Sequence, residues 1–333
     1  MLVVHNLGYQ GRFSAAKHPL GWLLGLGERA AADLRDGDSL NVMRAALLCA
    51  DQVVIVSPNY AEELHTPAGG FGLDSIVRKK ADESRMKGIR NGIHAAWNPR
   101  HDACIARRYG REDFLAHRRE CKAALQRRLG LLEEPEAALL GFVGRLAHQK
   151  GIDILGRLVD WLVRDAARLL GGKAQLVMMG DGEQTYCDML RRVEHANPGS
   201  VCGYVGFDPK IEHRMMAGCD LLLMPSRYEP CGLPQMISQQ YGCLPIVTAT
   251  GGLVDSVRDI SEGVHAATGF HTAACADALK SSLYKAMELF LKSPGEFQTM
   301  QRTAMHTDFY WTKAMDEYER IVDITLYDPP NFR

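Results

Sequence analysis

Long apolar runs are missing from this chain. No stretch of about 18 consecutive apolar residues occurs, so the sequence offers no membrane-spanning helix. Charge of one sign is missing too. The net charge is −1 and the 39 basic residues are spread over 333 positions, so no global field favours nucleic acid or an anionic membrane. Paired cysteines are the third absence. All nine stand singly, without Cys-x-x-Cys pairs or histidines at zinc spacing, which argues against a disulfide framework or structural metal and for a reducing compartment. The start, MLVVHNLGYQG, lacks the basic leader and apolar length of a signal peptide and reads as a strand running into a loop. No internal repeat or low-complexity segment is visible. What is present is an ordinary globular composition, 46% hydrophobic and 24% charged, with length for two domains.

Apolar runs and helical periodicity alternate, the pattern of a parallel α/β sheet. In the first half, Leu2–His5 and QVVIVS (52–57) read as strands, Asn41–Ala50 and Tyr60–Leu64 as helices, and Asn91-Gly92 as a turn. A polar stretch rich in Arg and Glu runs from Trp97 to Leu132, and Arg118–Arg119 with Arg127–Arg128 read as the solvated face of a helix. The charge and proline near Glu133–Glu136 suggest a domain boundary there: 1–135, then 136–310, with 311–333 a helix and tail returning to the first domain. The second half is more regular. Strands are expected at 139–143, 174–179, 201–207, 221–225 and 245–248, helices at 151–170, 183–195, 211–218 and 233–241, and a break at Gly251-Gly252. In open α/β sheets, ligands bind outside the carboxyl ends of the strands.

Four of those ends carry chemistry. After LLGFV come Arg145 and, five residues on, Lys150 at a helix start; an Arg fork, a Lys point charge and helix amides suit a phosphate. Alone, such a pair is more often a solvated loop. Gly180-Asp181-Gly182 is a tight turn. Phe207 follows a strand, where a ring stacks on a base or simply packs in the core. SRYEPCGLPQ (226–235) places Glu229 after a strand, with Cys231, Gly232 and Leu233 behind it. A carboxylate there accepts sugar hydroxyls, or only complements a helix dipole, and the cysteine reads equally as a small buried residue. Thr250-Gly251-Gly252 repeats the glycine turn one strand later. Together these features point to an α/β domain that binds a phosphorylated, nucleotide-linked polar ligand.

GFVGRLAHQKG, MPSRYEPCGLPQ and YGCLPIVTATGGLVDSV resemble the bacterial glycogen synthases and the plant and algal starch synthases. HNLGYQG, ADQVVIVSPNYAEEL, NGI and WNP upstream, with ATGF and DFYWTKAMDEYERIV downstream, extend the resemblance over nearly the whole chain. It implies a GT-B-like α/β fold of two Rossmann-like domains facing a cleft, and a retaining hexosyltransferase. That enzyme moves glucose from ADP-glucose, its donor substrate, to the non-reducing end of an α-1,4-glucan, with no cofactor and no metal.

By the same resemblance, Arg145 and Lys150 hold the donor diphosphate and Glu229 binds glucose hydroxyls, while Cys231, Gly232 and Leu233 line sugar and phosphate. His5 and Asn91 approach the sugar or acceptor from the first domain. Thr250, with Gly251 and Gly252, contacts phosphate or ribose, and Phe207 meets adenine. Self-association, or association with another synthase chain, is a further implied partnership. The expected compartment is the cytoplasm for a bacterial chain and the plastid stroma for a plant or algal one. The family's KTGGL loop near its N-terminus has no counterpart here, so the first domain is expected to lack its first strands. That absence keeps a second function open, a non-catalytic nucleotide- or glucan-binding partner of an active synthase. Pro234 also stands where the family often has a hydroxyl residue, and His94 where it has Asp.

Overall fold

The computed structural model describes residues 1–18 and 28–327, and the chain divides into two compact units. The first comprises Met1–Gly92 and the C-terminal helix Trp311–Tyr327; the second is Ile93–Tyr310.

In the first unit, strands β1 (Leu2–Val4), β5 (Val53–Ile55) and β6 (Met86–Gly88) form a parallel sheet in the order β1-β5-β6. Three short strands, β2 (Arg12–Ser14), β3 (Arg35–Asp36) and β4 (Ser39–Asn41), make a small antiparallel sheet that alternation did not reveal. Asn41 caps the helix Val42–Cys49 by accepting the Arg44 amide at 3.0 Å, and Ser57 Oγ caps Pro58–Glu63 by accepting the Tyr60 amide at 2.9 Å. Val4, Leu47, Val53, Ile55, Tyr60 and Leu64 pack into one core. Val54 and Ile89 pack instead with Ala314 and Ile321 of the C-terminal helix, and Lys87 pairs with Glu317 at 2.9 Å. Residues 328–333 of the expected tail lie outside the described residues.

The second unit holds a six-stranded, all-parallel sheet of β7 (Ala138–Val143), β8 (Ala174–Gly180), β9 (Val201–Val205), β10 (Leu221–Met224), β11 (Leu244–Thr248) and β12 (Phe270–Thr272). Its order is β12-β11-β10-β7-β8-β9. β7, β8, β10 and β11 are buried along their whole length, as parallel strands covered on both faces must be. Because β7 lies between β8 and β10, the chain reverses direction across the sheet there, the switch point at which α/β sheets form their ligand crevice.

The domain boundary falls between Gly92 and Ile93, not near residue 135. The helix Phe114–Arg128 explains the difference. Phe114, Arg118, Cys121, Lys122, Leu125 and Gln126 form one buried stripe at helical spacing. The Arg118 guanidinium donates to the carbonyls of Met216, Cys219 and Tyr241, Lys122 pairs with Asp220 at 2.7 Å, and Gln126 donates to Gln175 at 2.7 Å. Arg119, Arg127 and Arg128 do face water, but Arg118 does not.

Asp102 adds a second tie. Its carboxylate accepts the Tyr241 hydroxyl at 2.7 Å and the Cys104 amide at 2.7 Å and meets His213 Nδ1 at 2.7 Å, while Trp97 stacks on that imidazole at 3.8 Å. Burial pushes the Asp102 carboxyl up, and these hydrogen bonds outweigh it and hold it below the usual carboxylate range. The expected helix over 151–170 is broken into Ile152–Gly156, a π-helical segment Trp161–Ala166 and Ala167–Leu169, which keeps Ile152, Leu155, Val159 and Leu162 on the core.

Candidate active site

Three loops at the carboxyl ends of β7, β10 and β11 are tied into one cradle. The first leaves β7 through Gly144 and Arg145, passes a 3-10 turn at His148–Lys150 and enters its helix at Gly151. Gly151 has φ 67°, and a Cβ there would lie 1.9 Å from the Pro225 carbonyl oxygen, so only glycine lets this loop seat against the end of β10. Leu146 N donates to Asp181 O at 2.8 Å and Glu183 N to Leu146 O at 2.8 Å, which fastens the same loop to the Gly180–Gly182 turn.

The second loop, Pro225–Gly232, is stitched to the first. Arg227 N donates to Gln149 O at 2.8 Å, and Gln149 Nε2 to Tyr228 O at 3.2 Å. At its tip Lys150 Nζ forms an ion pair with Glu229 Oε2, and Ser226 Oγ donates to the same oxygen at 3.2 Å. The Glu229 side chain is 7% exposed and that of Lys150 20%.

The third loop presses on the second from the other side. Gly252 N donates to Glu229 O at 3.0 Å, and a Cβ on Gly251 would sit 2.0 Å from that oxygen. Gly251-Gly252 was expected to break the chain; it begins the helix Gly251–Ser256, with Thr250 buried just before it. Gln235 holds the set from behind, its Nε2 donating to Cys231 O, Gly232 O and Ser256 Oγ at 2.9–3.0 Å. Pro234 takes the first position of the helix Pro234–Gln240, where a missing amide costs nothing.

Of the residues singled out in the sequence, the structure therefore brings Lys150, Glu229, Gly232, Gly251 and Gly252 together, with Cys231 and Thr250 buried in the same loops. Arg145 lies exposed on the first loop, its guanidinium donating to Gln149 Oε1 at 3.1 Å, and Leu233 is exposed at the helix start. Phe207 is 61% exposed just past β9. With strands about 4.8 Å apart, three strand spacings from β10 put it about 14 Å along the sheet edge. His5 and Asn91 belong to the first unit: His5 is exposed past β1, and the half-buried Asn91 has a carboxamide oxygen without a hydrogen-bond partner.

Sequence reasoning passed over Ser226, Arg227, Asp153, Gln149, Gln235 and Ser256, although their density among apolar strand ends was the available signal. Asp102, Cys104 and His213 place metal-ligating atoms within 4.8 Å of one another, but the Asp102 oxygens are already taken by hydrogen bonds. A cavity of about 590 Å³ lies at the opposite, amino ends of the strands, beside Lys122, Lys173, Asp220 and Phe290.

Residues 1–79 match the family described as starch synthase catalytic domain, and residues 128–294 that described as glycosyl transferases group 1. The chain belongs to the starch and glycogen synthase family of glycosyl transferases. A glycogen synthase of Paracidovorax citrulli is 40% identical over 324 residues, covering 96% of this chain and 61% of its own. Soluble starch synthase 1 of Solanum tuberosum, chloroplastic/amyloplastic, is 35% identical over 350 residues, covering 100% and 53%. Among solved structures, the catalytic domain of starch synthase IV from Arabidopsis thaliana, bound to ADP and acarbose, superposes with TM-score 0.88 at 29% identity over 98% of this chain and 66% of that one. The fold is accordingly GT-B. The chain spans between a half and two thirds of the length of these relatives. No helix among the described residues is long and apolar enough to cross a membrane.

Proposed function

We propose that this chain carries the donor-binding and catalytic part of a retaining glucosyltransferase that moves glucose from ADP-glucose to the non-reducing end of an α-1,4-glucan. The observation that carries the reading is the meeting of Lys150 and Glu229 at the β7/β10 switch point, walled by the Gly251-Gly252 helix start.

Cleaving a glucosyl–phosphate bond builds negative charge on the departing diphosphate. Lys150 and Arg145, on one loop, supply preorganised positive charge where that group would lie. Glu229 accepts hydroxyls of the donor glucose and so fixes the anomeric carbon as it becomes oxocarbenium-like. Cys231, Gly232 and Leu233 then line sugar and phosphate, Thr250 meets phosphate or ribose, and exposed Phe207 stacks on adenine. Roles for His5 and Asn91 on the sugar or acceptor belong to the same proposal and are tested by His5→Ala and Asn91→Ala. A cytoplasmic or plastid setting belongs to the same proposal, and self-association is tested by light scattering.

The deciding experiment measures transfer of labelled glucose from ADP-glucose to glycogen by the 333-residue chain, with Glu229→Gln and Lys150→Ala as controls. UDP-glucose in parallel fixes donor preference. Transfer that both substitutions abolish supports the proposal. ADP or glucan binding without transfer supports the alternative, a non-catalytic nucleotide- or glucan-binding partner.

A further inference from the structure

Arg227 stands two residues before Glu229, yet it does not join the Lys150–Glu229 pair. Its guanidinium turns away and makes a two-pronged ion pair with Asp153, Nη1 to Oδ1 at 2.8 Å and Nη2 to Oδ2 at 2.9 Å, while Nη1 also donates to His148 O at 2.7 Å. Asp153 lies three residues after Lys150, in the first turn of the helix Ile152–Gly156. Two charged residues, each close in sequence to one member of the site pair, thus bridge the same two loops from behind. Both side chains are more than two-thirds buried, at 29% and 23% exposure, so the pair keeps its geometry better than a surface ion pair would. The titratable groups around it are His148, whose Nδ1 lies 3.9 Å from Asp153 Oδ1, and Tyr186 and Glu183 on the neighbouring loop and helix.

We propose that Arg227 and Asp153 are positioning residues: a latch that sets Lys150 against Glu229 and so holds the diphosphate-sugar site in register. The inference rests on the donor-site reading above and names what keeps that site assembled. A planar fork is required for the job. Lysine at 227 would keep the charge but reach only one carboxylate oxygen. A shift of about 1 Å between catalytic groups costs on the order of 100-fold in a positioned reaction, and a loosened latch allows such a shift.

The test has two independent readouts on the 333-residue chain. The first is ADP affinity by calorimetry in Arg227→Lys, Asp153→Asn and the double variant. Each single change is expected to weaken ADP about tenfold, and the double no more than either alone, because both break one device. The charge swap Arg227→Asp with Asp153→Arg is expected to recover at least part of the loss. The second readout needs no ligand. The thermal coupling between Lys150 and Glu229, from the cycle Lys150→Ala and Glu229→Gln, is measured with and without Arg227→Lys and is expected to fall to less than half.

Unchanged coupling overturns the latch whatever happens to ADP. Fully additive losses of ADP affinity in the double variant also overturn it. Lost coupling in a chain that binds no ADP supports the latch and sinks the donor-site reading instead.

Discussion

Replacing Lys150 by alanine strands a buried carboxylate. Glu229 is 7% exposed and keeps Ser226 Oγ, at 3.2 Å, as a hydrogen-bond donor to the orphaned oxygen. Removing one partner of a buried pair costs about 3–5 kcal/mol; with Lys150 partly solvated, about 2–3 kcal/mol is expected here. In a unit the size of Ile93–Tyr310, that lowers the melting temperature by about 6 °C. Glu229→Gln alone leaves an ammonium that reaches water and costs about 1 kcal/mol. The double variant faces a neutral amide with a methyl group, so it should melt within about 3 °C of the parent, a coupling of about 2 kcal/mol.

ADP binding is expected to part company with stability. A charge-assisted hydrogen bond to phosphate contributes about 1.5–3 kcal/mol, so Lys150→Ala should weaken ADP about 10- to 100-fold, and the double variant should not regain it. Circular-dichroism melts and calorimetry read both quantities. If the double variant melts at the sum of the two single losses, Lys150 and Glu229 are not coupled and the reasoning fails.

Gly251→Ala places a methyl 2.0 Å from the Glu229 carbonyl oxygen in a backbone at φ 46°; it should lower the urea midpoint by the equivalent of 1–3 kcal/mol or more and abolish ADP binding. Phe207→Ala should leave the melt unchanged, since the ring is 61% exposed, while weakening ADP by about 1–3 kcal/mol if it stacks on adenine; equal affinity refutes that role. Asp102→Asn should cost about 2–4 kcal/mol at pH 7, because a carboxylate accepting buried donors becomes an amide that also presents two. Its folded-state carboxyl is held low, so the stabilisation is complete above the unfolded value of about 3.9 and is lost as pH falls through the lower folded value. Urea melts between pH 3 and 7 should therefore show a steeper acid loss in the parent than in Asp102→Asn.

Sheet strands were legible because parallel strands buried on both faces are continuous apolar runs, and Leu139–Val143, Ala174–Met179 and Leu221–Pro225 fall within a residue or so of β7, β8 and β10. The boundary was not legible. Arg118, Lys122 and Gln126 are charged or polar, and composition reads such residues as solvated. In the fold they satisfy carbonyls, Asp220 and Gln175 inside the second unit. A buried polar stripe has the same periodicity as a solvated one, and only the partners tell them apart. Those partners lie 49–123 residues away along the chain, beyond the reach of any local pattern.

The site was half legible for a related reason. Glycines and a lone acid after strands announce a ligand crevice, so Lys150, Glu229, Gly232, Gly251 and Gly252 could be picked out singly. What makes them one site is contact between loops: the Gly151 seat on Pro225, the Gly252 amide on Glu229, and the Arg227–Asp153 pair across 74 residues. Strand order forces these contacts. β7 and β10 are neighbours although β8, β9 and the helices between them intervene in the chain, so their loops emerge side by side at the switch point. Lys150 and Glu229 meet because of that adjacency, not because of their spacing in sequence. A polar residue two positions from a recognised site residue, such as Arg227, is therefore better read by asking which neighbouring strand end it can reach than by its own exposure.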